Sequence, residues 1–278
     1  MERKVRVGAV NYLNTRPLIC DLDVLAPDAE LILDVPSRLA DRLAAGELDV
    51  ALIPVIEYLR AGCYTVVPDI AIATRGPVLS VTLFSRVPWP QIRRVALDEG
   101  SRTSATLTQV LLRLRYGVSP EVVPLPLERS ADDVDADAVL LIGDRAMRAC
   151  LPGFAHAFDL GQEWFDWTGL PFVYAVWAVR PEVDLGPVAA ALAEAKARGQ
   201  ARAGLIAARE APGLGLDAGF CRRYLSTILH FDLGPRELAG LQHYHRLAAD
   251  LGLAPRTATV QFYHDEAKPQ ARRALLPA

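Results

Sequence analysis

Methionine, cysteine and histidine are scarce here, with 2, 4 and 5 copies among 278 residues, and none of them clusters. Cys20, Cys63, Cys150 and Cys221 are scattered, without CxxC spacing. A chain this long builds a core without disulfides, and metal-ligand spacing is missing, so the cysteines read as core or surface thiols. His243 and His245 stand two apart on a helical stretch and face different ways, so they cannot share a metal. No P-loop and no GxGxxG fingerprint occurs, which argues against nucleotide cofactors. The expectation is a protein with no metal and no organic cofactor. An excess of positive charge is lacking too: 30 Lys and Arg face 33 Asp and Glu, for a formal charge of -3. That gives no field for holding a phosphate backbone, so no nucleic-acid partner is expected. The longest near-apolar run, GLPFVYAVWAV at 169–179, is too short for a bilayer and contains Gly and Pro. The opening MERKVRVGAV passes from charge straight into a strand pattern with no apolar h-region, which predicts a cytoplasmic protein away from membranes. Oligomeric state is not legible.

What is present is a well-packed chain, 51% hydrophobic and 23% charged, and these proportions exclude intrinsic disorder. Its length exceeds the usual single-core limit and predicts two lobes. Residues 4–10 alternate as a strand and end in the polar turn NYLNTRP; 30–35 is a second strand and 49–53 a third. Between the last two, Ser37 is placed to cap a helix that Gly46 ends in the left-handed conformation, giving a βαβ unit with a parallel sheet. A second strand–helix series begins near Ser80: SVTLFS, QIRRVAL, the loop DEGSRTS feeding a helix that Gly117 ends, then DADAVLLIGDRAMRAC. FVYAVWAV follows, and after it only helices are predicted, at 188–203, 217–228 and 235–251, before a frayed tail at 269–278. Two strand-like crossings, VLSVTLFS and PFVYAVWAV, predict an α/β cleft protein whose ligand sits beyond the carboxyl ends of the strands.

The segments just after the strands therefore hold the candidate site. In DEGSRTSATL, Ser101, Thr103 and Ser104 open a helix, with free amides and hydroxyls that suit an anion; simple N-capping by Ser101 or Thr103 explains the pattern equally well. Arg102 reads as a solvent residue, and Arg16 likewise. Gly143, in the GDRAM turn, lets backbone approach a ligand, whereas Asp144 reads as an N-cap rather than a base. Trp164 and Trp167 either wall a cleft or lie in core. Thr168 and Gly169, before the return crossing, are candidate contacts. Asn14 and Ser80 each have an ordinary structural reading, a self-satisfied turn and a hydroxyl bonded to a neighbouring strand.

Read together and in order, VGAVNYLNTRPL, GELDVALIPVIEYLR, VLSVTLFSRVP, VALDEGSRTSATL, AVLLIGDRAM and DLGQEWFDWTGLPFVYAVW resemble the chorismate dehydratase family of menaquinone biosynthesis. YLSTILHFDLGPRELAGLQHYHRLAADLGL is similar to that family's helical ending, so the resemblance runs from about 5 to 253. It implies a two-lobed periplasmic-binding-protein-like type II fold with two interlobe crossings. The expected lobes are 1–79 plus 178–278 for lobe one, which is discontinuous, and 80–177 for lobe two. The resemblance further implies conversion of chorismate to 3-[(1-carboxyvinyl)oxy]benzoate and water, in the futalosine route, with Asn14 and Ser80 as catalytic residues. Ser101, Thr103, Ser104, Gly143, Thr168 and Gly169 are then the substrate-binding set. The sister 1,4-dihydroxy-6-naphthoate synthase family shares the fold, and the EWFDWTGLPF segment favours the dehydratase. A non-catalytic solute-binding protein is the competing class. An effector domain of a transcription regulator is a third, opposed by the absence of a helix-turn-helix before the sheet.

Overall fold

The computed structural model describes residues 4–264, so the predicted frayed tail lies outside the described residues. Among the described residues, eleven strands form two sheets. The larger contains β1 (Arg6–Val10), β2 (Glu30–Asp34), β3 (Val50–Pro54), β4 (Thr65–Thr74), β10 (Phe172–Val179) and β11 (Leu229–His230), in the order β11-β4-β10-β3-β1-β2. The smaller contains β5 (Val81–Ser85), β6 (Arg94–Asp98), β7 (Glu121–Leu125), β8 (Ala138–Ile142) and β9 (His156–Asp159), in the order β7-β6-β8-β5-β9. β1 pairs in parallel with β2 and β3, and β6 with β7 and β8, as alternating strands and helices require. The remaining pairs, among them β5 with β8 and β10 with both β3 and β4, are antiparallel.

The βαβ reading of the first segment holds, with one change at the helix start. The helix Pro36–Ala44 begins on Pro36, its N-cap is Val35, and Ser37 makes no cap bond. Proline has no N–H to leave orphaned in the first turn, and its fixed φ already suits a helix, so it displaces the serine signal. Gly46 adopts φ +76 as expected.

FVYAVWAV was expected to cross between lobes and does not. All eight residues of β10 are buried inside the larger sheet, between β3 and β4. A run with no polar alternation suits a strand covered on both faces. The chain instead passes between sheets at 75–80 and again at 169–171, so the expected return at 178 falls inside β10. Two further expectations need correction. β11 interrupts the helix-only ending by pairing with β4. The helix expected at 188–203 divides at Arg202 into Pro187–Ala201 and Ala203–Leu214.

The first passage is held from the far lobe. The Asp159 carboxylate accepts hydrogen bonds from the amides of Val78 and Leu79 at 3.0 and 2.7 Å while capping the helix Leu160–Thr168 through Gly161 and Gln162. Leu79 takes φ +61, a conformation a side chain resists by roughly 1 kcal/mol. The charge-assisted bonds from Asp159 offset that cost, and Ser80 follows immediately.

Candidate active site

Beyond the ends of β1, β3, β6 and β8, the two lobes enclose a cavity. It is lined by Tyr12 and Asn14 from the turn after β1, Ser80 from the first passage, Ser101 and Ser104 from the helix start after β6, and Gly143 after β8. Val10, Pro36, Pro54, Ile72, Val78, Val81, Ile142 and Ala175 complete its apolar wall, and Tyr174 lines it too. Its volume is about 50 Å³, room for a few waters only, so the lobes are closed in this structure.

Closure is tied by bonds that run from one lobe to the other. The Leu13 amide donates to Asp144 Oδ1 at 3.1 Å, the Ser37 amide to the Gly100 carbonyl at 3.1 Å, and the Ile56 amide to Thr103 Oγ1 at 3.3 Å. Arg102 adds ion pairs to Asp41 at 2.8 Å and Glu57 at 3.1 Å, which replaces its expected solvent role with a bridging one. Arg16 pairs with Glu210 at 3.2 Å. Asp144 is not the N-cap of its helix, which is Ile142. Its side chain instead reaches across to the backbone beside Asn14, and burial pushes its carboxyl up from the usual range.

The helix start after β6 does two jobs at once. Ser101 is the N-cap of the helix Arg102–Val110: its Oγ accepts from the Ser104 amide at 3.3 Å and lies 2.9 Å from Ser104 Oγ. Both hydroxyls nevertheless face the cavity, so capping and a ligand-facing role coexist. Thr103 does not share it. Its hydroxyl serves Ile56 and its carbonyl accepts from the Tyr244 hydroxyl at 3.1 Å, with the residue fully buried. Residues one apart on a helix point about a quarter-turn apart, and Thr103 therefore turns to the packed side.

Thr168 and Gly169 are likewise not in the cavity lining. The Thr168 hydroxyl donates to the Trp164 carbonyl at 2.9 Å and accepts from the Leu170 amide at 3.1 Å. Gly169 ends that helix with φ +67. Both are helix-terminus residues. Trp164 is core, fully buried against Phe172 and Tyr244 with its indole N–H on the Pro171 carbonyl.

Gly143 behaves differently from its expectation. It takes φ +61, and a Cβ there would stand 2.7 Å from the Tyr12 ring. The bare backbone thus admits a tyrosine from the opposite lobe. Tyr12 was missed, as were Tyr174 and the fully buried Tyr224, whose hydroxyl donates to Ser80 Oγ at 2.8 Å. NYLNTRP did contain the signal for Tyr12, an aromatic directly after a strand. Burial, and for Tyr12 the nearby Asp98 and Asp144, holds all three phenols well above their ordinary range. They are neutral donors near neutral pH.

Asp98 was also missed. It is buried, its Oδ1 accepts from the Gly100 amide at 2.8 Å, and the Arg145 guanidinium stands 3.8 Å from Oδ2. Burial outweighs these partners and raises its carboxyl to about 6. A carboxyl raised on folding stabilises the fold when protonated, so this contribution is complete below about 4 and is lost as pH rises through about 6. Asp98→Asn is therefore expected to gain about 1–3 kcal/mol relative to the parent at pH 8 and little at pH 4. Thermal melting of both chains at the two pH values checks this; equal differences at both would overturn it.

Among the described residues, the cavity lining contains hydroxyls and an amide but no carboxylate, histidine, lysine or arginine. Such a surface recognises anions through neutral donors and a helix N-terminus.

Comparison with known proteins agrees with this architecture. The family described as menaquinone biosynthesis matches residues 5–250. The chain is 34% identical over 242 residues to the chorismate dehydratase of Thermus thermophilus, covering 79% of this chain and 86% of that protein. A solved protein of Archaeoglobus fulgidus superposes with a TM-score of 0.75 at 17% identity, covering 91% of this chain and 99% of that one. The periplasmic aliphatic sulphonate binding protein of Escherichia coli superposes at 0.61 with 16% identity, covering 100% and 98%. These two likenesses establish the fold as periplasmic-binding-protein-like.

Proposed function

Because the chain belongs to the menaquinone-biosynthesis family and has a chorismate dehydratase among its relatives, we propose that it is a hydro-lyase acting on chorismate. The product in this reading is 3-[(1-carboxyvinyl)oxy]benzoate, made with release of water in the futalosine route. The observation that carries it is the convergence of Asn14, Ser80, Ser101, Ser104 and Gly143 on one interlobe cavity.

The reaction needs little chemistry from the protein. The ring carbon bearing the enolpyruvyl ether is acidic through conjugation to the ring carboxylate. Losing its proton, then the neighbouring hydroxyl, yields an aromatic ring. Ser101, Ser104 and the helix start after β6 hold the ring carboxylate, which gains charge as the proton leaves. Asn14 and Ser80 fix the enolpyruvyl arm and the departing hydroxyl. No side chain in the lining is a base of suitable strength. The enolpyruvyl carboxylate, attached through the ether to the carbon that is deprotonated, takes the proton. Passing it to the leaving hydroxide releases water and restores the carboxylate. The lobes, joined at 75–80 and 169–171, part to admit substrate and shut to exclude solvent.

Incubation with chorismate tests the reading. The expected result is an aromatic ultraviolet spectrum and a product lighter by one water. Chorismate that binds and is recovered unchanged identifies a solute-binding protein instead. Chorismate that neither binds nor reacts directs the search to the later synthase reaction.

A further inference from the structure

The hydrogen bonds behind the cavity form a chain with a direction. Thr15 Oγ1 donates to Asn14 Oδ1 at 3.2 Å, and the Asn14 amide N–H groups remain as donors. Tyr224 Oη donates to Ser80 Oγ at 2.8 Å, and the Asn14 side chain stands beside the Tyr224 hydroxyl. Tyr224 is fully buried and Ser80 is 2% exposed, so bulk water does not scramble these bonds. Once Ser80 Oγ accepts from Tyr224, its own proton is left for the cavity that it lines.

Tyr224 also sits at an unusual place in the backbone. It opens a π-helical turn, Tyr224–Ile228, that follows the helix Ala218–Arg223, and the Leu229 amide closes the turn on the Tyr224 carbonyl. Such turns displace one residue from the regular helical face and recur at functional sites. Here the displaced stretch begins with Tyr224, whose hydroxyl donates to Ser80 and stands beside Asn14.

We infer that Tyr224 is a positioning residue that sets the direction of the Asn14–Tyr224–Ser80 chain, so that Ser80 meets the substrate as a hydrogen-bond donor to the departing hydroxyl. The inference rests on the dehydratase reading. Tyr224 touches no substrate; it acts through Ser80. Donors in series polarise one another, so the last member donates more strongly than an isolated serine. Burial pushes the phenol up from its ordinary range, so it is protonated near neutral pH.

A double-substitution cycle on chorismate turnover tests this. Tyr224→Phe keeps the ring and removes the donor. It is expected to lower kcat by about tenfold with KM within about twofold. Ser80→Ala is expected to lower kcat at least as far, and Tyr224→Phe in the Ser80→Ala chain should cost nothing more. Thermal melting shows that each variant is folded. A Tyr224→Phe chain as fast as the parent, or losses that multiply in the double variant, overturns the inference. Should Tyr224→Phe not fold, 3-fluorotyrosine incorporation makes the phenol a stronger donor. It should then change kcat in the parent but not in Ser80→Ala, and equal change in both overturns the inference. An inactive parent chain sinks the dehydratase reading and this inference together, an outcome distinct from an active parent with an unaffected variant.

Discussion

Chorismate whose enolpyruvyl carboxylate has been converted to a neutral amide is expected to occupy the site at high concentration and not to turn over. The amide keeps the shape and hydrogen-bonding edge of the arm, so binding to Asn14 and Ser80 survives in weakened form. It cannot accept a proton near neutral pH, and the cavity lining supplies no replacement. General-base contributions of about 10²–10⁴-fold are typical, and loss of that order is expected in kcat. Three carboxylates lie near the lining, Asp159, Asp144 and Asp98, and Asp159 is engaged by the amides of Val78, Leu79, Gly161 and Gln162. Asp144 is engaged by the Leu13 amide and Asp98 by the Gly100 amide, and none of the three is in the lining. Asp144→Asn keeps an oxygen for Leu13 and should retain most of the rate, whereas Asp144→Ala should loosen the turn that carries Asn14. Normal dehydration of the amide analogue beside a dead Asp144→Asn chain would place the base on the protein and end the substrate-assisted scheme.

The second large effect is expected from Ser101→Asp. Aspartate is as good an N-cap as serine and its charge suits a helix N-terminus, so the helix Arg102–Val110 should be at least as stable. The same charge would stand in the cavity where we propose that a substrate carboxylate is held. Two anions in a buried site repel strongly, and loss of the serine donor adds to the cost, so chorismate affinity should fall by more than about a hundredfold. Isothermal titration and thermal melting separate the two effects. Thr103→Ala is the contrast: it removes the acceptor used by Ile56 and should cost about 1 kcal/mol of stability while disturbing binding far less. Affinity unchanged within twofold in Ser101→Asp would make this loop a cap and nothing more.

Much of this arrangement is written locally. The strand–helix alternation, the parallel pairs, the left-handed Gly46 and the opening of a helix at Ser101 follow from hydrophobic period and turn chemistry, which act over a few residues. Strand ends are local too, and in a parallel sheet they converge on one edge. That is why Ser101, Ser104 and Gly143 were legible as a group. Asn14 and Ser80 came from the family resemblance, since on their own they read as a self-satisfied turn and a hydroxyl bonded to a neighbouring strand.

Direction of side chains and partners far along the chain were not legible. Thr103 and Ser104 are adjacent and chemically alike, yet packing against Ile56 and Tyr244 turns one inward while the other faces the cavity. Thr168 and Gly169 sit near the second passage but are spent on ending a helix. Tyr12 reaches Gly143, Asp144 reaches Leu13, and Tyr224 reaches Ser80 only because the lobes close, over separations that no sequence window spans. The sequence by itself determined the first βαβ unit, the alternation of strands and helices and which turns face the cleft, because those depend on periodicity and local backbone preference. The tertiary structure alone decided which hydroxyls remain for a substrate, because a donor's role is fixed by the partner that reaches it first.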